Sequence, residues 1–367
     1  MKILKNKTIQ LIVKKKIVRI KDIAEKAQTS KGTVDRVLHN RGRVADDVRE
    51  RILAIIKELN YEPNLVAQSL KSQRTFNIAA LIPDPNEDSY WEAPKKGLEK
   101  AEKELRQYGI NIAKFIFNPH DEQSFIAKAK EASNESQDGV LIAPIFYKEA
   151  LPFFEHWRNL NIPYVLFNTQ IESVVPLCYI GQDSYRSGFL AAKILSFGLP
   201  FSCTVLVAHI NEDIPNSAHL ITKEEGFRNY FQQDGRNAEF KIISEAINYL
   251  ESGTIDIHLD KIRQGEPGLS AIYVTNSKAF EVAAYLERNN LKDIKLIGYD
   301  LLAPNLEYLN KEIINFLINQ NPLGQGYWGI HQLANHLIFK KEIQPIKFLP
   351  LDIITKENLD YYLDPAG

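Results

Sequence analysis

The chain of 367 residues has only two cysteines, Cys178 and Cys203. Neither stands in a CxxC pair or a Cys/His cluster, which excludes a disulfide framework and a structural zinc site as the means of holding so long a chain. Sparing cysteine use fits a reducing compartment. Long apolar runs are missing as well. The start, KILKNKTIQLIVKKK, holds one short apolar stretch, Ile9 to Val13 interrupted by Gln10, too small for the core of a secretory signal. A long uncharged stretch, Ile194 to Asn211, is broken by Gly198, Leu199 and Pro200 and carries Ser196, Ser202 and Thr204. It reads as a helix end, a turn and a buried strand, not a membrane span. A cytoplasmic location with no membrane partner is expected.

Catalytic signatures are wanting too. There is no GxSxG, no P-loop and no Ser/His/Asp set recognisable by motif. Gly324, Gly326 and Gly329 spell GxGxxG, but only 38 residues follow Gly329, short of a full βαβ unit, so a helix start after Pro322 is the better reading. His331 and His336 are five apart and lack a third ligand, so no metal site is expected. No cofactor and no enzymatic activity follow from these residues. Hydrophobic residues at 44 % and charged residues at 25 % describe an ordinary globular protein. At roughly 150 residues per domain, the length allows two or three domains.

What the chain does have is a charge asymmetry hidden by its net charge of -1. Residues 1–76 carry 18 Lys and Arg against 8 Asp and Glu, leaving 27 against 38 for the rest. A basic head on an acidic body points to a polyanion as the partner of the head. Within the head, Ile20, Ile23, Ala24 and Ala27 recur at helical spacing. Gln28, Thr29 and Ser30 make a turn, with Ser30 as N-cap of a second helix over residues 31–39 that buries Val34, Val37 and Leu38. Lys31, Gly32, Asp35 and Arg36 then project outward. A third helix opens with Asp46 and Asp47, where its dipole favours acids, and buries Val48, Ile52, Ile55, Ile56 and Leu59. Two short helices joined by a three-residue turn and buttressed by a third form a helix-turn-helix, whose second helix can enter the major groove.

The pieces IKDIAEKA, TV-x-RVL, ELNYEPN and VAQSL, spread over some 55 residues, closely resemble the DNA-binding head of the lac repressor family of bacterial transcription factors. The resemblance implies base reading from the start of the second helix by Lys31, Gly32 and Arg36, with Ser30, Thr33, Arg43, Asn64 and Gln68 among the further DNA contacts. It implies that PNLVAQSLK, residues 63–71, forms a hinge helix on DNA, pairs with its dimer mate and wedges Leu70 into a minor-groove step. Three departures stand out. Gln28 replaces a usual glycine in the turn, Asp35 a usual serine, and Gly32 offers no side chain for reading. Residues 1–18 have no counterpart; they are either a basic arm adding DNA affinity or the product of an upstream start codon.

From Asn77 onward the pattern alternates apolar strands and amphipathic helices: NIAALIPD, Lys95–Gln107, INIAKFIFN, Glu122–Ser133, DGVLIAPI, a helix near Leu151–Leu160, and IPYVLFN. It resumes with Tyr185–Ser196, CTVLVAHI, Glu225–Gln232, FKIISEAI, SAIYVTN, Ala279–Asn289 and IKLIGYD. Near-continuous apolar strands in βα alternation indicate doubly wound parallel sheets. Two such sheets in tandem resemble the two-lobed periplasmic sugar-binding fold that lac repressor relatives carry as a sensor. The sharper local pieces are EEGFRNYF, IYVTNS, IGYD and NQNPLGQG. The expected organisation is a basic extension (1–18), a helix-turn-helix domain (19–62), a hinge and linker (63–75) and a sensor (76–367). The sensor's first lobe takes about 76–181 and 320–349, and its second about 182–319 and 350–367.

Ligands of such sheets bind beyond the carboxyl ends of strands. Tyr90 and Trp91 follow the first strand and could stack on a flat or apolar face. Asn168 ends the last strand before the first crossing, Asn276 and Asp300 end two strands of the second lobe, and Gln320 falls at the third crossing. Lys223 lies where the family often has a ligand-gripping arginine. His209 and His219 are equally readable as cleft or structural residues. A set of Asn, Asp and Gln suits hydroxyl-rich ligands better than phosphates, and Lys223 keeps an acidic sugar open. The implied protein is a homodimeric transcriptional regulator, a repressor whose operator affinity a sugar-like molecule controls. A solute-binding protein or an α/β enzyme using the head for dimerisation is the alternative.

Overall fold

The computed structural model describes residues 18–38, 41–59, 61, 74–200, 202–211, 218–233, 240–248 and 254–363. The segment 63–71, with Asn64, Gln68 and Leu70, lies outside the described residues, as do residues 1–17. The chain divides into two compact units, residues 1–68 and 69–367.

In the first unit, α1 (Ile20–Lys26), α2 (Lys31–Leu38) and α3 (Asp46–Glu58) enclose a small core of Ile23, Ala24, Ala27, Val34, Val37, Ile52 and Ile55. Asp46 and Asp47 occupy the first turn of α3, next to its positive dipole end. Gln28 takes the left-handed conformation in the turn, φ 50°. That geometry is the one a glycine adopts without steric cost, and here a side chain bears it.

The second unit contains two six-stranded sheets. The first runs β11-β5-β4-β3-β1-β2, from β1 (Phe76–Pro83), β2 (Ile110–Phe117), β3 (Gly139–Ile142), β4 (Tyr164–Phe167), β5 (Cys178–Gly181) and β11 (Ile346–Phe348). All of its pairings are parallel. The second runs β12-β10-β9-β8-β6-β7, from β6 (Cys203–Ile210), β7 (Phe240–Ile247), β8 (Leu269–Val274), β9 (Lys295–Tyr299), β10 (Phe316–Asn319) and β12 (Asp352–Ile354). Only β12 is antiparallel, at the edge. Stripped of β11 and β12, both sheets have the doubly wound order 2-1-3-4-5. The inner strands β1, β3, β4 and β6 are buried along nearly their whole length, as sheets covered on both faces require.

Around the first sheet pack α4 (Glu92–Leu105), α5 (Glu122–Asn134), α6 (Tyr147–Asn159) and α12 (Pro322–Leu337). The second sheet is covered by α7 (Ser184–Ser196), α8 (Ala218–Gln233), α9 (Thr254–Gly265), α10 (Ala279–Arg288) and α11 (Ala303–Asn310), and α13 (Asp360–Leu363) follows near the end. Each sheet therefore has a separate apolar core on either face. The chain crosses between sheets after β5, after β10 and after β11. Two sequence expectations need correction. β5 intervenes between Asn168 and the first crossing, and Gln320 lies at the second crossing, not the third. Four-residue strands such as β5 and β10 are too short to show a period, which is why the count slipped.

The GxGxxG stretch belongs to α12, which starts at Pro322 with Asn321 as its cap: the Gly324 N–H donates to Asn321 Oδ1 at 2.9 Å. Gly326 lets α12 press against α4, since a Cβ there would fall 2.9 Å from the Pro94 carbonyl carbon. The second lobe repeats the device. A Cβ on Gly188 of α7 would fall 2.6 Å from the Lys223 carbonyl carbon of α8.

Candidate functional site

On the first unit, the outward surface of α2 is organised by its cap. Ser30 Oγ accepts from the Thr33 N–H at 3.1 Å and shares a 2.9 Å hydrogen bond with Thr33 Oγ1. Burial of Val34 and Val37 fixes the roll of the helix, leaving Ser30, Lys31, Gly32 and Arg36 exposed and Thr33 half-buried. The Arg36 guanidinium folds back along the helix: Nε donates to the Gly32 carbonyl at 3.3 Å and Nη2 to Thr33 Oγ1 at 3.4 Å. Arg43 is exposed in the loop before α3. No acid stands in the first turn of α2, so its positive dipole end is presented uncompensated.

On the second unit, a cavity of about 560 Å³ opens where strands of both sheets end. Tyr90, Trp91, Asn168, Lys223, Asn276, Asp300 and Gln320 all line it. Asn168 follows β4 directly and Asp300 follows β9, the equivalent strand of the other sheet. Both hold left-handed φ, 68° and 64°, and each donates its N–H to the next strand of its sheet, to the carbonyls of Ile180 and Ile318 respectively, at 3.1 Å. Asn and Asp tolerate that conformation better than most residues, and here it stands on both walls of one cleft.

The side chains form a connected network. Asn168 Nδ2 donates to the Tyr90 hydroxyl at 2.7 Å, and Trp91 stands edge-on to Tyr90 and to Phe167. Gln320 Nε2 donates to Asp300 Oδ2 at 2.5 Å, and the Gln320 Oε1 accepts from Lys223 Nζ at 3.4 Å and from the Gln182 amide. Lys223 is fully buried, its ammonium 2.8 Å from the Thr275 carbonyl and 3.7 Å from the centre of the Tyr299 ring. Asn276 is turned by its Nδ2 bond to the Ile210 carbonyl at 2.7 Å. Asn305 fastens the floor from behind: its Nδ2 donates to the carbonyls of Ser277, Tyr299 and Asp300 at 2.8, 2.9 and 3.1 Å.

Burial pushes the Asp300 carboxyl up to about 6, with the Asp88 charge adding to it, while Lys223 and the Gln320 hydrogen bonds pull it back. Burial also raises the Tyr90 phenol, again with Asp300 contributing. His219 lines the cavity; burial, and then Lys223 and His209, lower its imidazole to about 3, so it is neutral. His209 instead stands behind the wall, bonded through Nδ1 to Thr275 Oγ1 at 2.8 Å and through Nε2 to Glu224 at 2.9 Å. Burial would raise the Glu224 carboxyl, but hydrogen bonds from His209, Ser244 and Arg228 outweigh it and hold it at about 2.

Sequence reasoning passed over several lining residues. Asp88, His120, Asp121 and Glu122 come from the first lobe, Ser277 and Lys278 from the second. Asp88 and Asp121 cap the turns that follow β1 and β2, a signal present in the sequence. Gln182 and Gln325 gave no such signal, because their partners lie 138 and 235 residues away. Among the described residues, buried Gln182 Oε1, Gln325 Oε1 and His219 Nδ1 have no hydrogen-bond partner. Among the described residues there is no group of His, Cys, Asp and Glu suited to a metal ion, and no helix long and apolar enough to cross a membrane.

Comparison with known proteins separates the chain at the same place. Residues 19–64 match the model of bacterial regulatory proteins of the lacI family, and residues 78–341 match the periplasmic binding protein domain. The HTH-type transcriptional regulator MalR of Streptococcus pneumoniae is 24 % identical over 308 residues, covering 82 % of this chain and 88 % of that protein. The ribose operon repressor of Halalkalibacterium halodurans is 25 % identical over 312 residues, covering 80 % and 85 %. A crystal structure from Bacteroides fragilis assigned to the LacI transcriptional regulators has a TM-score of 0.71 and 31 % identity, covering 79 % of this chain and all of that one. A glucose-galactose binding protein of Geobacillus stearothermophilus shares the fold, with a TM-score of 0.67 and 22 % identity over 78 % of this chain and 99 % of its own.

Proposed function

The chain belongs to the lacI family of bacterial regulatory proteins and is a DNA-binding transcriptional regulator with a periplasmic-binding-protein-like sensor, and from that premise we propose that a small hydroxyl-rich molecule, most simply a sugar, binds between the sensor lobes and sets its affinity for operator DNA. The observation carrying this reading is the single cavity that gathers Tyr90, Trp91, Asn168, Lys223, Asn276, Asp300 and Gln320. Its volume lies inside the range of small-molecule sites, and its lining combines aromatic faces with convergent amides and carboxylates. Carboxylates and amides accept and donate to vicinal hydroxyls, while Trp91 and Tyr90 supply an apolar wall. Lys223 admits a sugar acid as well as a neutral sugar.

Control follows from where the network runs. Gln320 belongs to the second crossing and touches Asp300 and Lys223 of one lobe and Gln182 of the first crossing, while Gln325 bonds the Gln320 carbonyl. A ligand held by Asp300 and Asn168 acts on the segments about which the lobes would turn. Its effect on DNA must be reciprocal: operator changes ligand affinity by the same factor. On DNA, Ser30, Lys31, Gly32, Thr33, Arg36 and Arg43 form the head's contact surface, with Asn64, Gln68 and Leu70 of the hinge completing it. The protein acts as a homodimeric repressor on a near-palindromic operator, in the cytoplasm with the chromosome.

Trp91 provides the test. The tryptophan fluorescence, to which it contributes beside Trp157 and Trp328, is titrated with a panel of aldopentoses, aldohexoses and uronates, in the parent protein and in Asp300→Asn. A saturable change with one sugar class, weakened at least tenfold in the variant, supports the reading. Binding of a non-carbohydrate to the same cleft, with every sugar silent, overturns the ligand class.

A further inference from the structure

We infer that Asp35 reads a base, accepting a hydrogen bond from the exocyclic amine of a cytosine in the major groove, and that the absence of a side chain at Gly32 is what brings it within reach. This rests on α2 being the helix that enters the groove. At 100° per residue, the buried Val34, Val37 and Leu38 put Gly32 and Arg36 near the outward pole of α2, and Asp35 about 60° round the helix from Gly32.

Gly32 carries the first half of the inference. It has ordinary helical φ, not the left-handed value that would call for glycine. A Cβ built on it meets only Ser30 Oγ, at 3.7 Å, an ordinary contact, so the fold has room for alanine. Glycine is nevertheless a poorer helix former than alanine, and here it stands in the first turn of a helix of only eight residues. A residue that destabilises its helix, and that no neighbour within the head demands, is explained by what the outer surface must meet. With nothing projecting from the outward pole but an Arg36 that folds back over the Gly32 carbonyl, the helix backbone can lie close to the groove floor. The flanks of the helix then come within contact of the base edges.

Asp35 is the residue on that flank. It is half-buried, at the edge of the outward surface of α2. A carboxylate only accepts hydrogen bonds, so among base edges in the major groove it selects the amine of cytosine, or less simply that of adenine, and is repelled by guanine's two acceptors. Arg36 has the opposite preference, guanine O6 and N7. The pair reads adjacent positions with opposite polarity.

The experiment is selection from a randomised duplex library by the full-length protein and two variants, Asp35→Asn and Gly32→Ala, each retained motif being sequenced. Asparagine keeps the shape but pairs with adenine. The parent is expected to require cytosine at one position of each half-site by tenfold or more, with Asp35→Asn moving that preference to adenine. Gly32→Ala is expected to lose it while unfolding at no lower temperature. An unchanged motif in Asp35→Asn, with uniformly tighter retention of all sequences, would mean that the carboxylate only repels phosphates, and overturns the assignment. Failure of the parent to select any motif overturns DNA reading by α2 itself, a result distinguishable from the first.

Discussion

Gly188→Ala links packing to binding most sharply. The new methyl carbon would lie 2.6 Å from the Lys223 carbonyl carbon and 3.0 Å from its Cα, and it would overlap the carbonyl oxygen. Two carbons ordinarily stand about 3.5–4.0 Å apart, so α7 and α8 must separate by about 1 Å. The neighbour is backbone, which cannot turn aside as a side chain can. Overpacking of this kind costs typically about 1–3 kcal/mol. The displaced turn of α8 is the one that carries His219 and Lys223 into the cleft, and the ammonium bond to the Thr275 carbonyl, now 2.8 Å, would stretch to a length at which it contributes little. Urea denaturation followed by tryptophan fluorescence should show a lower midpoint, and titration of the same signal with the effector should show at least tenfold weaker binding. Parental stability would refute the claim that the glycine is imposed by helix contact. A lowered midpoint with parental affinity would refute the claim that this contact positions the Lys223 wall.

Three other outcomes are expected. Gln28→Gly should stabilise the head by about 0.5–1 kcal/mol, because Gln28 holds a left-handed φ of 50°; amide exchange of α1–α3 would report it, and slower exchange is the predicted result. Asp300 is raised in the folded chain from 3.8 to about 6, so between those values the native state holds a proton that the unfolded chain has released. The stability this group confers is present below about pH 4 and falls as pH rises through 6; Asp300→Asn should abolish that slope in denaturation midpoints measured across pH 4–7. Asn305→Ala removes the donor to three buried carbonyls and should cost about 2–4 kcal/mol, with the effector site loosened in parallel; a loss below 1 kcal/mol in urea would mean that those carbonyls find other partners.

Much of this was legible beforehand because it rests on period and on strand ends. The long strands β1, β2, β6 and β7 are predominantly apolar, and Asn168, Asp300 and Gln320 each stand directly after a strand, where doubly wound sheets place their ligands. The head was legible from Val34, Val37, Ile52 and Ile55, all buried. The illegible parts depend on contacts remote in sequence. The sequence pattern named no element over α11, whose eight residues carry Pro304 in the first turn, where proline is well placed. Asn305, Gln182 and Gln325 act through partners that only folding brings near, and nothing in their neighbourhoods marks them. His209 and His219 were indistinguishable until Glu224 and Thr275 were found to hold one of them away from the cleft.

The central claim is that a small molecule in the cleft governs specific DNA binding by the head. It is tested most directly by retaining fragmented genomic DNA on the full-length protein at near-physiological salt, with and without the sugar that alters tryptophan fluorescence, and sequencing what is held. The account predicts a pseudo-palindromic motif of two equivalent half-sites whose retention changes when the sugar is present. Retention without any shared motif, identical in both conditions, would contradict it.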